Sequence, residues 1–210
     1  MLQRVLKWFR KAEPVKDNQT IYSECYKDPK YAMGEQRFDR VRAAIDEAIV
    51  HLRSEGISNP RLLDVGCGRA EILQWAAKRG GFSLIYGEEI VPDLCGEFDG
   101  YHVEQIDSIS ESKFGGDIVV CSDVLEHIQP METDAALVRL WNSAAYALII
   151  HVAWFPTERV MQDGTVEQLH INRMDAMQWV GRLAMVTGKK TECWEFEDQT
   201  ALLVVYDFDD

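Results

Sequence analysis

The sequence predicts an α/β fold in which a doubly wound, mostly parallel sheet lies between layers of helices. Three observations support this: short apolar strands alternate with amphipathic helices, a glycine-rich turn joins the first core strand to its helix, and the chain closes with two consecutive strands. With 210 residues, 47% of them hydrophobic, the chain is expected to build a single domain around one core. Residues 1–58 are expected to supply N-terminal helices and a lid, and residues 59–210 the core.

Charge and cysteine content exclude several classes of protein. There are 22 Lys and Arg against 35 Asp and Glu, and the resulting formal charge of -13 repels a phosphate backbone. Bulk nucleic-acid binding is therefore not expected, although a local basic patch is not excluded. The five cysteines include no C-x-x-C pair, so neither a disulfide framework nor a zinc knuckle is predicted, and free thiols favour a cytoplasmic location. No apolar run is long enough to predict a membrane span.

The N-terminal region is predicted to hold two helices separated by a loop. Residues 1–14 combine an apolar stripe at helical spacing with an excess of basic residues. This first helix is interpreted as packing across the domain or lying in a homodimer contact, with membrane-surface or partner binding as the alternative. Residues 17–31 are predicted as a loop with at most a short helical turn, and a second helix with apolar positions from Phe38 to Leu52 ends at Gly56.

The predicted core begins after the Asn59-Pro60 turn and alternates strands with helices. Strands are predicted at 61–66, 82–90, 101–106, the start of 117–128, and 147–155, and helices at 70–80, 132–147 and 174–188. Residues 189–208 are predicted to form two terminal strands that pair antiparallel.

The turn after the first core strand is the most informative motif. The strand ends in Asp64, and Gly66 and Gly68 then flank one residue just before a helix begins. In an open α/β sheet this is where a ligand binds, against the helix start. Glu71 occupies the third glycine position of the dinucleotide fingerprint, which disfavours a pyrophosphate, whereas Glu89 ends the next strand and is suited to ribose hydroxyls. An adenosine ligand without phosphates is favoured, and an ordinary tight turn is the alternative.

Several motifs in order resemble those of class I S-adenosylmethionine-dependent methyltransferases. They are D-V-G-C-G at 64–68, the acid that closes the second strand, and D-I-V-V-C-S-D-V-L-E-H-I at 117–128. The match runs from about Leu62 to Ile128 and continues more loosely to the C-terminus. The resemblance implies a small stand-alone member with a Rossmann-like, seven-stranded, mostly parallel sheet, an antiparallel C-terminal strand, and S-adenosylmethionine as cofactor.

The resemblance also implies which residues contact the methyl donor. Glu89 matches the ribose-binding acid, with Glu88 as the neighbouring alternative, and Ile90 is expected to pack on the adenine. Asp107 matches the acid for the adenine amino group, with an ordinary loop role as the alternative. The implied donor-binding residues are Asp64, Gly66, Cys67, Gly68, Arg69, Glu89, Ile90, Asp107, Cys121 and Ser122. Arg69 is expected to reach the donor carboxylate.

Acceptor chemistry is less constrained by the sequence. Methyl transfer from a sulfonium is an in-line displacement that depends on positioning, but an oxygen or nitrogen acceptor can need a base. Among candidates that also include Asp123 and Glu126, the three possible catalytic histidines are His170, His151 and His127, of which the first two are favoured. Each has a purely structural alternative. No metal site is predicted, because the histidines lack metal-ligand spacing with a carboxylate on one helix face.

The segment before the core is expected to act as a lid. Tyr22, Tyr26 and Tyr31, with Met33 and Arg37, are interpreted as closing over the donor, since a sulfonium favours an aromatic face. The alternative is that these rings only pack the N-terminal helices onto the sheet.

The predicted function is methyl transfer to an oxygen or nitrogen of a small or medium acceptor, such as a glycan, a nucleoside or a similar metabolite. The 210 residues leave little room for a separate recognition domain. Two alternatives stay open: modification of RNA or DNA bases, and a non-catalytic subunit that binds S-adenosylmethionine.

Overall fold

The structure is a computed structural model that describes residues 17–29, 31 and 34–207. The described residues form five α-helices and ten strands, and no helix among them is long and apolar enough to cross a membrane. In chain order the elements are α1 (Asn18–Cys25), α2 (Glu35–Ser54), β1 (Arg61–Val65), α3 (Glu71–Arg79), β2 (Leu84–Glu89), β3 (Gly96–Phe98), β4 (Tyr101–Gln105), β5 (Gly116–Ser122), α4 (Thr133–Ser143), β6 (Ala144–Ala153), β7 (Glu158–Val160), β8 (Val166–Gln168), α5 (Ala176–Thr187), β9 (Thr191–Phe196) and β10 (Thr200–Tyr206).

The main sheet has the strand order β3-β4-β2-β1-β5-β6-β10-β9. The five strands β4, β2, β1, β5 and β6 run parallel, and β10 pairs antiparallel with both β6 and β9. This topology confirms the predicted Rossmann-like α/β fold with an antiparallel C-terminal strand. It also brings the carboxyl ends of the five parallel strands to one edge of the sheet, where ligands bind in such folds.

The predicted number of seven strands is wrong by one, because β3 adds an eighth strand at the sheet edge. It is three residues long and pairs antiparallel with β4, with Phe98 opposite Tyr101. The two-residue loop between them is Asp99-Gly100, and Gly100 has a φ of +87°. An Asp-Gly pair is a strong signal for a tight hairpin, but a three-residue strand is too short to show the alternation that predicts one.

The core lies in two layers on either side of the sheet. Helices α2 and α3 cover one face, and α4 and α5 cover the other. Successive residues of β1 alternate between the layers, with Leu62 in the first and Leu63 in the second. The central strands are buried on both faces, which explains their continuous apolar runs.

Three other predicted elements differ from the structure. Residues 17–31 contain helix α1, whose N-cap Asp17 accepts a hydrogen bond from the Thr20 amide at 2.7 Å, and its polar sequence hid the helical period. The helix predicted at 132–147 ends at Ser143, because Ala144–Ala147 pair in the sheet despite the helix preference of alanine. The loop before α5 contains the β7–β8 hairpin. The helix predicted at 1–14 and Met33 lie outside the described residues.

Candidate active site

The glycine-rich turn between β1 and α3 takes a backbone shape that only glycine adopts easily. Gly66 and Gly68 have φ angles of +74° and +53°. A Cβ on Gly66 would lie 2.5 Å from Cγ2 of Val124, and one on Gly68 would lie 2.4 Å from Oη of Tyr26. The Gly66 amide donates to the carbonyl of Glu88 at 2.7 Å, which fixes the turn against β2. Any other residue at these two positions would therefore strain the backbone and collide with a neighbouring side chain.

The structure separates the two adjacent acids at the end of β2. The carboxylate of Glu89 accepts hydrogen bonds from the amides of Gly68, Ile90 and Val91 at 2.8, 2.9 and 3.1 Å. Burial raises the pKa of Glu89, and these backbone hydrogen bonds oppose that shift. Glu88 is fully buried on the opposite side of the strand, where it accepts hydrogen bonds from amides in the loop before β5. Of these two acids, Glu89 lines the larger of the two cavities described below, and Glu88 lines neither.

A cavity of about 700 Å³ lies over the carboxyl ends of the parallel strands. Four of the residues implied to bind the donor line it: Gly66, Glu89, Ile90 and Asp107. Their order runs outwards from the glycine turn, across the end of β2, to the loop that follows β4. The remaining walls come mainly from α1 and from the segments that follow β4 and β5.

A second cavity of about 250 Å³ adjoins the first. The residues lining both are Tyr26, Tyr31, Gly66, Asp123 and His127. Four more of the implied donor residues line only the smaller cavity: Cys67, Gly68, Arg69 and Ser122. The glycine turn therefore lies between the two spaces.

The other two implied donor residues, Asp64 and Cys121, lie beneath the cavities rather than on their walls. Asp64 is 2% exposed, and burial, with the charges of Glu71 and Glu89, raises its pKa to about 8. Cys121 is fully buried, and burial raises the pKa of its thiol. Neither side chain is placed to touch a ligand in the two cavities.

Arg69 holds the N-terminal segment onto the glycine turn. Its guanidinium donates to the carbonyls of Tyr26, Asp28 and Tyr31 at 2.6, 3.0 and 3.1 Å. These contacts use Nε and Nη2, and Arg69 also lines the smaller cavity, so its expected reach towards a donor carboxylate stays a prediction. The contacts connect the turn to two of the three predicted lid tyrosines, Tyr26 and Tyr31.

Helix α1 and the residues after it cover the larger cavity. Tyr22, Tyr26 and Tyr31 all line it, and burial raises the pKa of each phenol. The Tyr26 and Tyr31 rings meet edge to face with centroids 5.2 Å apart. The side-chain amide of Gln19 donates to the carbonyl of Ile90 at 3.0 Å, which ties α1 to the end of β2. The three rings thus form an aromatic roof over the site.

Asp123 stands at the junction of the cavities and pairs with two cationic or potentially cationic groups. Its Oδ1 lies 3.3 Å from Nη1 of Arg37 and 3.2 Å from Nδ1 of His151. Burial alone would raise the pKa of Asp123, but the His151 hydrogen bond and the Arg37 charge outweigh it and lower the pKa. His151 is fully buried behind Asp123 and lines neither cavity. Its position suits orientation of Asp123 more than contact with a substrate.

His127 and His170 do face the smaller cavity, and their rings meet edge to face with centroids 4.8 Å apart. His127 Nδ1 donates to the carbonyl of Leu169 at 2.9 Å, and His170 Nδ1 donates to that of Phe155 at 2.7 Å. Burial lowers the pKa of His127 to about 4 and also lowers that of His170. Both imidazoles are therefore neutral near pH 7, with Nε2 as the atom free to accept.

Glu126 lies against these histidines and is fully buried. Its Oε1 accepts a hydrogen bond from the Ala153 amide at 3.1 Å, whereas its Oε2 has no hydrogen-bond partner in the part of the chain described. Burial, followed by the charge of Asp123, raises the pKa of Glu126 well above its ordinary range.

Sequence reasoning missed Asn172, which holds the acceptor side together. Its side-chain amide donates to the carbonyl of Leu125 at 3.0 Å and to the Thr133 hydroxyl at 2.8 Å. The amides of Ile171 and Asn172 both donate to the carbonyl of Glu126. The segment Ile171-Asn172 thereby holds the L-E-H-I turn in place from more than forty residues away. No local spacing in the sequence predicts such a contact.

Comparison with known proteins agrees with this geometry. A family model described as a methyltransferase domain matches residues 33–153, more than half of the chain. No curated protein matches the sequence significantly. Many solved structures do match, although their low sequence identities limit that likeness to the fold.

Three of these structures illustrate the likeness. Magnesium protoporphyrin IX methyltransferase from Synechocystis PCC 6803 is 17% identical to this chain. The match covers 98% of this chain and 99% of the methyltransferase, with a TM-score of 0.59. The amino pentose methyltransferase CalS10 from Micromonospora echinaspora is 14% identical, with coverages of 93% and 99% and a TM-score of 0.61. The 1,6-didemethyltoxoflavin-N1-methyltransferase from Burkholderia thailandensis is 13% identical, with coverages of 90% and 86% and a TM-score of 0.60. The chain therefore belongs to the methyltransferase domain family, and its fold is that of the class I S-adenosylmethionine-dependent methyltransferases.

Proposed function

We propose that the protein transfers a methyl group from S-adenosylmethionine to an oxygen or nitrogen of a small or medium-sized acceptor. The observation that carries this proposal is the pair of adjoining cavities, which share walls at Gly66, Asp123 and His127. The larger is of the size that ligand pockets generally have. A donor in the larger cavity, whose methionine part reaches the glycine turn at the edge of the smaller cavity, would meet an acceptor in the rest of the smaller cavity at this shared wall.

The larger cavity suits an adenosine-containing donor. A carboxylate has about four acceptor positions, and backbone amides fill three of those on Glu89. At least one position is left for a ribose hydroxyl. Ile90 and Asp107 lie farther along the same wall, where an adenine ring would follow the ribose. The aromatic roof of Tyr22, Tyr26 and Tyr31 supplies ring faces for the sulfonium.

The smaller cavity favours a compact acceptor group over a polymer. It holds about 250 Å³ and is closed by side chains that include Arg37, Phe155 and His170. The three structural neighbours are named as methyltransferases of an amino pentose, of magnesium protoporphyrin IX and of 1,6-didemethyltoxoflavin, all small molecules. A glycan, a nucleoside or a similar metabolite fits this size class.

The chemistry that the site needs is positioning and removal of one proton. In the displacement, the bond from the methyl carbon to the acceptor forms while the carbon–sulfur bond breaks, and sulfur keeps the electron pair. The acceptor proton then passes to a base. His170 is the better-placed base of the two favoured histidines, because its Nδ1–H is fixed on the Phe155 carbonyl and its Nε2 is left to accept a proton. His151 is proposed to act through Asp123.

The test is formation of S-adenosylhomocysteine from S-adenosylmethionine with a panel of acceptors: amino sugars, neutral sugars, nucleosides, and RNA and DNA oligonucleotides. Turnover with a small acceptor is the expected result. Turnover only with oligonucleotides, weakening steeply with salt, would favour nucleic-acid modification instead. Donor binding without turnover on any acceptor class would favour a non-catalytic subunit. The cytoplasmic location and a homodimer stay predictions.

A further inference from the structure

One side-chain cluster has a composition that methyl transfer alone does not require. A carboxylate oxygen of Glu126 and one ring nitrogen each from His127 and His170 lie within 4.8 Å of one another. Two of the three residues line the smaller cavity, and His127 lines the larger one as well. The cluster therefore stands where donor and acceptor would meet.

Both imidazoles make the outer hydrogen bond that metal-binding histidines usually make. The Nδ1–H of His127 is used by the Leu169 carbonyl, and that of His170 by the Phe155 carbonyl. Such outer hydrogen bonds fix the tautomer and leave the lone pair of Nε2 for a metal ion. Neither Nε2 atom takes part in a hydrogen bond among the described residues.

Glu126 supplies an independent observation. Its side chain is fully buried, and Oε2 has no hydrogen-bond partner within the ranges that the structure describes. No Lys or Arg in those ranges forms an ion pair with it, and the nearby Arg37 is paired with Asp123. A buried carboxyl oxygen without a partner costs free energy that a bound cation would offset.

We propose that Glu126, His127 and His170 bind a divalent transition-metal ion. Two imidazole nitrogens and one carboxylate oxygen suit Mn²⁺, Fe²⁺, Co²⁺ or Zn²⁺ better than Mg²⁺ or Ca²⁺, which prefer oxygen ligands. Ligand atoms about 2.1 Å from one ion lie roughly 3–4 Å apart. Since the three atoms lie within 4.8 Å of one another, the side chains need to close by at most roughly 1–2 Å. Three protein ligands leave coordination positions open towards the cavity.

The sequence prediction of no metal site rested on spacing along one helix. Glu126 and His127 instead sit in the short 3₁₀ turn Leu125–His127, and His170 comes from a loop more than forty residues later. The Asn172 clamp on Leu125 and Glu126 joins these two segments. The three ligands come together only through the fold, so spacing along the sequence could not predict them.

The metal ion would also select the acceptor atom, and this consequence rests on the proposed function. With the ion bound, Nε2 of His170 is a ligand and His170 is no longer the base. The ion takes over that task, because a hydroxyl bound to a divalent ion loses its proton to water more readily. The acceptor oxygen would then form the bond to the methyl carbon while the carbon–sulfur bond breaks and sulfur leaves with the electron pair. An oxygen acceptor is thereby favoured over nitrogen.

The test is metal binding by the full chain, without turnover. After treatment with a chelator, the protein is titrated with Mn²⁺ while the electron paramagnetic resonance signal of the free ion is followed. We expect one Mn²⁺ per chain, competition by Zn²⁺, weaker competition by Mg²⁺, and an affinity at least tenfold lower in His170→Ala and Glu126→Gln. His51→Ala removes an exposed histidine on α2 and is expected to bind as the wild type does.

Two results would overturn the metal site. One is no Mn²⁺ binding by the folded wild-type protein. The other is binding that survives His170→Ala but is lost in His102→Ala, whose ring lies between Glu97 and Glu104 at 2.9 and 3.1 Å on the surface. Formation of S-adenosylhomocysteine by chelator-treated protein would keep the proposed function while removing the metal from it.

Discussion

The two cavities differ in how completely the protein satisfies its own polar groups. Around the larger cavity, Glu89 accepts three backbone hydrogen bonds, and the glycine turn donates to the carbonyl of Glu88. In the smaller cavity, on its shared wall and just behind that wall, the described residues leave several buried polar atoms without partners: Ser122 Oγ, Asp123 Oδ2, Glu126 Oε2 and His151 Nε2. Such atoms cost free energy and cluster where a ligand is expected to supply the missing contacts. The donor side is preformed, whereas the acceptor side is completed by what binds there.

The difference follows from how each side is assembled. The donor side comes mostly from one continuous turn and the ends of neighbouring parallel strands, so the sheet itself positions it. The acceptor side combines Arg37 from α2, Asp123 after β5, and His170 from the loop before α5. Side chains from separate segments are fixed only by contacts between those segments, such as the ion pair of Asp123 with Arg37.

The largest effect on function is expected for His170→Ala. Its ring lines only the smaller cavity, so turnover should fall by about 10²- to 10⁴-fold, the usual contribution of acid–base or metal-assisted chemistry. Affinity for S-adenosylhomocysteine should be unchanged. Steady-state kinetics and calorimetry together measure both quantities, with His51→Ala as the control. A loss of donor affinity as large as the loss of turnover would show that His170 in the smaller cavity also contributes to donor binding.

The next effect is expected for Glu89→Ala on the donor side. Loss of hydrogen bonds to a charged group costs about 1.5–3 kcal/mol, so affinity for S-adenosylhomocysteine should fall by roughly 10- to 150-fold. Thermal unfolding is measured in parallel, because three backbone amides also lose their acceptor. Glu88→Gln, which alters the neighbouring acid on the other side of β2, should keep the donor affinity. Equal losses in both variants would mean that the ribose is placed wrongly.

A smaller effect is expected for Gly68→Ala. Its Cβ would meet Oη of Tyr26 at 2.4 Å, and overpacking of this kind typically costs about 1–3 kcal/mol. Displacing Tyr26 disturbs the aromatic roof, so donor affinity should fall. Gly188→Ala is the matched control, because Gly188 has a similar φ of +66° but no atom within 4 Å of the added Cβ. Both variants lose stability to backbone strain, but only the first should lose donor affinity in calorimetry.

The smallest effect on function is expected for Asp64→Asn, which tests the buried layer beneath both cavities. Burial raises the pKa of Asp64 from its ordinary value of 3.8 to about 8. Folded protein therefore holds a proton there that unfolded protein releases, and the wild-type free energy of unfolding declines as the pH rises through this window. Asparagine does not titrate, so the free energy of unfolding of the variant should rise relative to that of the wild type as the pH increases from 3.8 to about 8. Urea unfolding at several pH values measures this difference, and a difference that stays constant with pH would contradict the prediction.

The sequence predicts the donor side better than the acceptor side, because the donor side comes mostly from consecutive residues and the acceptor side from separate segments. Gly66, Gly68 and Glu89 lie in a local pattern, because a strand, a turn and a helix start are consecutive in the chain. The fold class follows from apolar periodicity, and its errors fall on short or polar pieces such as β3 and α1. The acceptor residues depend on contacts such as that of Asn172 with Leu125, which no periodicity encodes.

The central claim is that the larger cavity binds S-adenosylmethionine, and calorimetric titration of the wild-type chain tests it most directly. We predict that S-adenosylhomocysteine binds at one site per chain, and that NAD does not compete, because Glu71 stands in the first turn of α3 where a pyrophosphate would lie. Folded protein that gives no heat with S-adenosylhomocysteine, or that binds NAD as tightly, would contradict the account.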